Sequence, residues 1–147
     1  VTSTGYGITR NGTGGPITLN LNYTELFDHP LGNINSNITP TGIGNIFIDP
    51  LFAKAIKYTG SLDDATDPNN DFHLKSIYGR YDPLTKTFIT TDILTSSLIG
   101  AGDPSSNNSK SLWDGIIEIG AYGNTPEASN YQVICPTPIC NINITQI

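Results

Sequence analysis

The sequence predicts a mostly β protein, on three observations. It contains no Met, few Glu and Lys, and 15 Gly with 10 Pro among 147 residues, a composition that disfavours helices and supplies turns. Its apolar residues recur in short runs that alternate with polar ones, which is the period of a strand and not of a helix. Long stretches rich in Asn, Ser, Gly and Pro separate these runs. We therefore expect seven or eight short strands joined by irregular loops.

The candidate strands can be justified in chain order. Residues 17–24 alternate, with Ile17, Leu19 and Leu21 on one face. The run at 45–49 ends at Pro50, because proline cannot donate a ladder hydrogen bond. In the run at 72–77, the alternation places His73 on an outward, exposed face. Residues 50–58 form the one candidate helical turn. The remaining predicted strands are 86–93, 96–104 and 116–122, followed by "YQVIC" and "NINIT" around the cysteines.

Short strands of this kind occur both in sandwiches or barrels and in parallel β-helices. The loops here are long and unequal, and neither Asn11-Gly12 nor Asp114-Gly115 joins strands two residues apart, as hairpin turns would. Loops of varied length between short strands are typical of β-helix coils, where the loops project from a stack of strands. The pattern therefore favours a parallel β-helix over a sandwich.

Five stretches, in this order, resemble the C-terminal end of right-handed parallel β-helix proteins, which are large secreted surface proteins of bacteria and archaea related in fold to pectate lyases. They are "LNLNYTEL", "GIGNIFIDPLFA", "NNDFHLKS" with "GRYDP", "SSLIGAGDP" and "IEIGAYGNTPEAS", within residues 17–130. The resemblance implies a short right-handed parallel β-helix (solenoid) end with capping strands and long loops. The chain departs from the family at Ser97 and Gly100, where the family has Pro and Asp, and at Glu118. These motifs are structural in the family, so no catalytic residue is carried over.

We divide the chain into a β-helix-like domain, 1–130, with 1–16 as an N-terminal arm, and a C-terminal strand or hairpin tail, 131–147. A solenoid coil takes roughly 20 to 30 residues, and at least three stacked repeats are normally needed. Residues 17–130 supply only two or three, so we expect an open end, covered by a removed upstream solenoid or by another molecule. The expected capping and core residues are Leu51, Phe52, Phe72, Leu74, Ile117, Ile119 and Tyr122.

The charge balance excludes some partners. A net charge of −6 with only seven basic residues argues against nucleic acid, because neutralising phosphates needs clustered Lys and Arg. No stretch approaches the roughly 20 apolar residues of a membrane span. The sequence opens at Val1 without Met, so we expect that a signal peptide was removed or the chain trimmed.

Two features favour an extracellular location. Cys135 and Cys140 are close enough in sequence for a disulfide that closes a tight loop. The chain also carries more Asn-X-Ser/Thr sequons than its composition predicts, which suggests a glycoprotein. The sequon residues are Asn11, Asn22, Asn37, Asn107 and Asn143.

Three further groups of residues are candidate sites, each with a plainer explanation. An acidic stretch offers the oxygen ligands that calcium prefers, although it lacks the Gly and Glu of an EF-hand and also reads as a solvated turn. Four carboxylates could pair for glycosidase chemistry, although turns of such folds are rich in Asp. The seven tyrosines and Trp113 could stack on sugars or fill the core. The calcium candidates are Asp63, Asp64, Asp67, Asn70 and Asp71, and the carboxylates are Asp92, Asp103, Asp114 and Glu118.

These observations favour a non-enzymatic extracellular structural protein. We expect a self-assembling subunit of a cell-surface filament or sheath, whose partners are copies of itself, joined head to tail or by strand addition. The alternative is the C-terminal domain of a larger cell-surface adhesin or carbohydrate-binding β-helix protein. Calcium is the only cofactor that the sequence raises.

Overall fold

The computed structural model describes residues 7–10, 12–29, 31–54, 70–106 and 116–131. Every regular element in these segments is a strand and none is a helix, which confirms the mostly β class. None of these elements is therefore an apolar helix long enough to cross a membrane. The strands are β1 (Ile17–Asn20), β2 (Ile38–Thr41), β3 (Phe52–Lys54), β4 (Asp71–Leu74), β5 (Arg80–Asp82) and β6 (Thr87–Ile89).

β1 and β2 form a parallel ladder in which each residue pairs with the one 21 positions later, from Ile17 with Ile38 to Asn20 with Thr41. The same offset continues beyond the strands, since Glu25 bridges to Ile46 in parallel. Parallel pairing requires a long crossover connection, which the loop between β1 and β2 provides. The N-terminal arm also joins this layer, because Ile8 forms a parallel bridge with Ile34.

A similar spacing recurs in the C-terminal part. The Ser96 N–H donates to the Lys75 carbonyl at 2.9 Å, and the Ile119 N–H donates to the Leu98 carbonyl at 2.9 Å. Both contacts join residues 21 positions apart. The Lys75 N–H in turn donates to the Leu51 carbonyl at 2.9 Å. Successive passes of the backbone therefore contact one another through main-chain hydrogen bonds in both halves of the chain.

Two antiparallel pairs accompany these contacts. β3 pairs with β4, with a register shift between Phe52 and Lys54. The helical turn predicted over 50–58 is therefore wrong for Phe52–Lys54, because pairing with β4 outweighs the weak helical preference of this segment. Residues 55–58 lie outside the described part.

β5 and β6 form a hairpin that the loop argument did not predict. Its turn has no Asn-Gly or Asp-Gly pair. Instead, Asp82 accepts the Leu84 N–H at 3.0 Å and the Thr85 hydroxyl at 2.9 Å. A side-chain carboxylate that bonds the backbone two residues on replaces the usual turn residues.

The core lies in the C-terminal part. Leu74, Leu98 and Ile99 form a buried cluster, against which Ile46, Phe52 and Ile119 pack. The Phe72 ring meets Phe52 edge to face, with centroids 5.4 Å apart. In contrast, Ile38 is the only buried one of the described residues from 7 to 49. The two halves of the molecule are therefore unequally covered.

The other expected core residues lie at the margin of this cluster. Leu51 is half-buried and has a φ of 54°. Ile117 is half-buried and accepts the Gly102 N–H at 2.8 Å through its carbonyl. A Cβ on Gly102 would lie 2.6 Å from Ile117 Cγ1, so this close approach requires glycine.

Candidate functional site

The described residues contain one extensive cluster of charged and aromatic side chains, centred on His73. The His73 side chain is 1% exposed. Its ring stacks on Tyr122 with centroids 3.6 Å apart and planes 10° apart. Tyr81 tilts against the same ring at 5.4 Å. The prediction that His73 is exposed is wrong, because residues far along the chain cover the outward face of β4.

Asp71 holds the imidazole from the same strand. Its Oδ1 lies 2.5 Å from His73 Nδ1 and accepts the His73 backbone N–H at 3.0 Å. An ionised carboxylate only accepts, so Nδ1 carries the proton in this contact. Asp71 therefore selects the tautomer and fixes the orientation of the ring.

Arg80 extends the cluster from β5. Its Nη1 lies 3.1 Å from Asp71 Oδ2, and its Nε lies 3.0 Å from Asp92 Oδ2. Asp92 Oδ2 also accepts the Ser76 N–H at 3.0 Å. The side chains of Arg80, Asp71 and Asp92 are all less than 15% exposed. One guanidinium thus pairs with two carboxylates that come from different segments.

The opposite side of the ring faces Glu127 and Tyr122. His73 Nε2 lies 3.5 Å from Glu127 Oε2 and has no hydrogen-bond partner within the described segments. The pKa of the Tyr122 hydroxyl is raised, first by burial and then by the negative charges of Asp71 and Glu127. Tyr122 therefore stays neutral and acts as an aromatic cover.

Serine hydroxyls attach the final segment to β4 and to the turn that follows it. Ser129 Oγ donates to the Leu74 carbonyl at 2.6 Å, and Ser76 Oγ donates to the Asn130 carbonyl at 2.5 Å. The Ser129 N–H donates to Glu118 Oε2 at 3.1 Å, and Glu118 is buried. These bonds hold residues 118–130 across the outward face of β4.

The cluster joins parts of the chain that are distant in sequence. The His73 side chain is 1% exposed, with Asp71, Tyr81, Tyr122 and Glu127 around it. In the parts of the chain that can be described, no three His, Cys, Asp or Glu residues are arranged to hold a metal ion. The cluster instead ties together β4, β5, the loop at Asp92 and the segment 118–130.

Most of the predicted calcium residues lie outside the described part, namely Asp63, Asp64 and Asp67. Of the other two, Asp71 contacts His73 and Arg80. The Arg80 guanidinium therefore lies beside Asp71 where a bound calcium ion would have to lie. Among the glycosidase candidates, Asp114 is also undescribed. Asp92 pairs with Arg80, Asp103 accepts the Ser105 N–H and hydroxyl, and Glu118 accepts the Ser129 N–H.

The sequons and cysteines are only partly placed. Asn22 and Asn37 are exposed. Asn22 Oδ1 accepts the Ile43 N–H at 3.0 Å, so this side chain contributes to the parallel layer. The other sequon residues and both cysteines lie outside the described residues: Asn11, Asn107, Asn143, Cys135 and Cys140.

Glu25 is a second titratable group that sequence reasoning missed. It lies in the parallel layer, and its Oε1 is buried without a hydrogen-bond partner within the described residues. Its pKa is raised above 4.5, first by burial and then by the negative charge of Asp49. No local motif marks this residue, because Asp49, whose charge acts on it, lies on the next pass of the backbone and is distant in sequence.

Arg80, Ser76, Ser129 and Glu127 were also absent from the predicted sites. One signal was present in the sequence: Arg80 is one of only two arginines in a chain whose charged fraction is 14%. Such an arginine has many carboxylates available as partners, because the chain has 13 acidic and only 7 basic residues. The serines gave no such signal, because their partners are backbone carbonyls more than 50 residues away.

Comparisons of the chain with protein-family models, with curated proteins and with solved structures gave no match.

Proposed function

We propose that this protein is a non-enzymatic extracellular structural subunit that assembles with copies of itself into a cell-surface filament or sheath, through open β edges and terminal strands. We also propose that its fold is the end of a right-handed parallel β-helix. The recurring offset of 21 residues supports the fold, because coils of similar length bring successive strands into parallel contact.

The observation that carries the proposed function is the unequal coverage of the two halves. Between residues 7 and 49 the described side chains include one buried residue, Ile38, whereas six large apolar side chains there are exposed. Exposed apolar surface marks interaction sites in soluble proteins. Large apolar side chains are exposed in the C-terminal part as well, but there they accompany the buried core cluster. Those between residues 7 and 49 have little buried core beside them. The exposed residues are Ile17, Phe27, Leu31, Ile43, Phe47 and Ile48.

The bonds that attach the segment 118–130 to β4 support the same proposal. Residues 118–130 are bonded across β4 by Ser129, Ser76 and Glu118. The outward face of β4 is thus covered by the chain itself, whereas the outer edge of β1 has no paired strand among the described residues. Two unlike sides on one subunit allow two different contacts in an assembly of copies.

The test is to purify the chain and examine it by size-exclusion chromatography and negative-stain microscopy. We expect filaments from the full chain and none after deletion of residues 141–147, whose alternating sequence suits strand addition. Asn143→Gln, which keeps every apolar position of this tail, is the control and should still assemble. A truncated chain that polymerises as well as the full chain would contradict the role of the tail.

The second candidate is the C-terminal domain of a larger cell-surface adhesin or carbohydrate-binding β-helix protein. The same exposed side favours it, because a preceding coil would cover β1 just as a partner copy would. A chain that stays monomeric at all concentrations supports this second function over the first, and a glycan array then tests the carbohydrate-binding form of it.

A further inference from the structure

The outer edge of β1 presents main-chain groups that pair with no described strand. Ile17 and Leu21 donate their N–H groups towards the β2 segment, at 3.0 and 2.8 Å, and the Leu19 carbonyl accepts the Thr41 hydroxyl from the same side. In a parallel pair, alternate residues bond to the same neighbour. The N–H and C=O groups of Thr18 and Asn20 therefore point to the opposite edge, where no strand pairs with β1 among the described residues.

The outer edge of β2 differs, because it is already blunted. Pro40 has no N–H to donate, and the Ile38 N–H is used within a turn by the Asn35 carbonyl at 2.9 Å. Proline on an edge is a usual protection against unwanted pairing. Of the two strands, β1 is thus the one that can accept a further strand.

β1 lacks the other usual protections as well. Residues 12–24 contain no charged side chain, and the nearest charges are Arg10 and Glu25. Natural edge strands are normally guarded by Lys, Pro or a bulge, and β1 itself, from Ile17 to Asn20, has none of these. The net charge of −6 repels two copies from each other, but that repulsion is not concentrated at this edge.

We propose that β1 pairs in antiparallel fashion with β1 of a second copy, about a two-fold axis that passes beside Leu19. This inference rests on the proposed self-assembly and names one contact within it. Thr18 then exchanges two main-chain hydrogen bonds with Asn20 of the partner subunit, and symmetry repeats the exchange. Leu19, whose own N–H and C=O face β2, falls in the non-hydrogen-bonded pair at the axis.

A second copy fits this edge because β1 is complementary to itself. In this register the face that carries Ile17, Leu19 and Leu21 continues across the axis, and so does the face that carries Thr18 and Asn20. An isologous contact of this kind closes on itself. The terminal tail would then join such dimers into the proposed filament through a separate contact.

The axis predicts a position-specific cross-link. Facing residues of a non-hydrogen-bonded antiparallel pair have Cα atoms about 4.5 Å apart, which is within the range that a disulfide bridges. We expect Leu19→Cys to form a disulfide with its symmetry mate under mild oxidation. Leu21→Cys is the matched control, since its symmetry mate would lie about 14 Å away.

Peptide mapping by mass spectrometry separates these links from any link that involves Cys135 or Cys140. The expected result is a 19-to-19 linked peptide from Leu19→Cys and no 21-to-21 peptide from Leu21→Cys. Equal cross-linking of the two variants, or none in either, would overturn the proposed pairing. This readout uses the full chain and does not depend on filament formation.

Thr18→Pro provides a second test, because it removes an outward N–H and leaves the bonds between β1 and β2 intact. Because two of the four main-chain bonds are lost, the dissociation constant of the dimer should rise roughly tenfold to a hundredfold, as measured by analytical ultracentrifugation. Pro40→Thr, which changes only the β2 edge, should leave dimerisation unchanged. If Thr18→Pro does not fold, as judged by circular dichroism, the cross-link decides.

The outcomes separate the two proposals. Filaments that form without a 19-to-19 link overturn the β1 pairing and keep the proposed function. Linked dimers that never polymerise keep the β1 pairing and overturn the filament. A full chain that is monomeric at every concentration overturns both.

Discussion

Arg80→Met should destabilise this protein severely, although it removes only one polar side chain. Arg80 is the common partner of Asp71 and Asp92, at 3.1 and 3.0 Å. Methionine keeps much of the aliphatic volume but leaves both carboxylates without a cation. Neither carboxylate can turn to solvent freely, because Asp71 also bonds His73 and Asp92 also bonds the Ser76 N–H.

The magnitude follows from the burial of the three side chains, which are 12%, 14% and 9% exposed for Arg80, Asp71 and Asp92. Removing one partner of a buried ion pair typically costs 3 to 5 kcal/mol, because the remaining charge stays desolvated. We take the lower limit, about 3 kcal/mol, since the cluster retains some contact with water. For a domain of this size that loss lowers the melting temperature by roughly 6 to 12 °C.

The measurement is urea denaturation followed by circular dichroism, with the free energy of unfolding taken from the midpoint and slope. Arg10→Met is the matched control, because Arg10 is the other arginine of the chain and its hydrogen bond to the Gly15 carbonyl is exposed. That control should change stability by less than about 0.5 kcal/mol. Equal effects of the two substitutions would refute the account of the cluster. Asp92→Asn added to Arg80→Met should recover about 1 kcal/mol, since it removes an unpaired charge.

Two further predictions concern the core and the pH dependence. Leu74→Ala should lower the free energy of unfolding by about 3 kcal/mol in the same assay, because Leu74 is 1% exposed within the core cluster. Leu84→Ala, at a hairpin position that is 92% exposed, should leave that free energy almost unchanged. Similar losses in the two variants would contradict the location of the core. The raised pKa of Glu25 means that the folded state binds its proton more tightly than the unfolded state, so this contribution to stability is full below pH 4.5 and declines as pH rises through the folded-state pKa. Glu25→Gln should flatten that decline and raise stability near pH 7. The gain should be at most about 0.5 kcal/mol, because the side chain is only half-buried. A variant whose stability follows pH as the wild type does would show that Glu25 is not the group responsible.

The β class was predictable because it depends on local sequence. A strand needs only a short alternating run bounded by Gly, Pro or Asn, and these signals lie within a few residues of one another. The runs that contain β1, β4 and β6 were found in this way. β2, β3 and β5 were missed, and the predicted strands at 45–49, 96–104 and 116–122 do not form regular strands. Local sequence carries no record of the pairing partner that decides these cases.

The candidate site was not predictable, because its parts are distant in sequence. Alternation placed Phe72 and Leu74 on one face of β4 and His73 on the other, which is correct for Leu74 and the core. It could not show that Tyr122 and Glu127 would cover the second face. A period of two residues predicts which side chains share a face, but not what lies against that face.

The sequence by itself determined the strand-rich class, the absence of charge along residues 12–24 and the acidic balance of the chain. These are properties of composition and of neighbouring residues. Only the tertiary structure decided that β1 pairs with β2 and with no other described strand, that Pro40 blunts the far edge, and that Arg80 pairs with both Asp71 and Asp92. Such features depend on contacts between residues 9 to 55 positions apart in sequence. Hydrogen bonding and burial in the folded chain decide which of these contacts form.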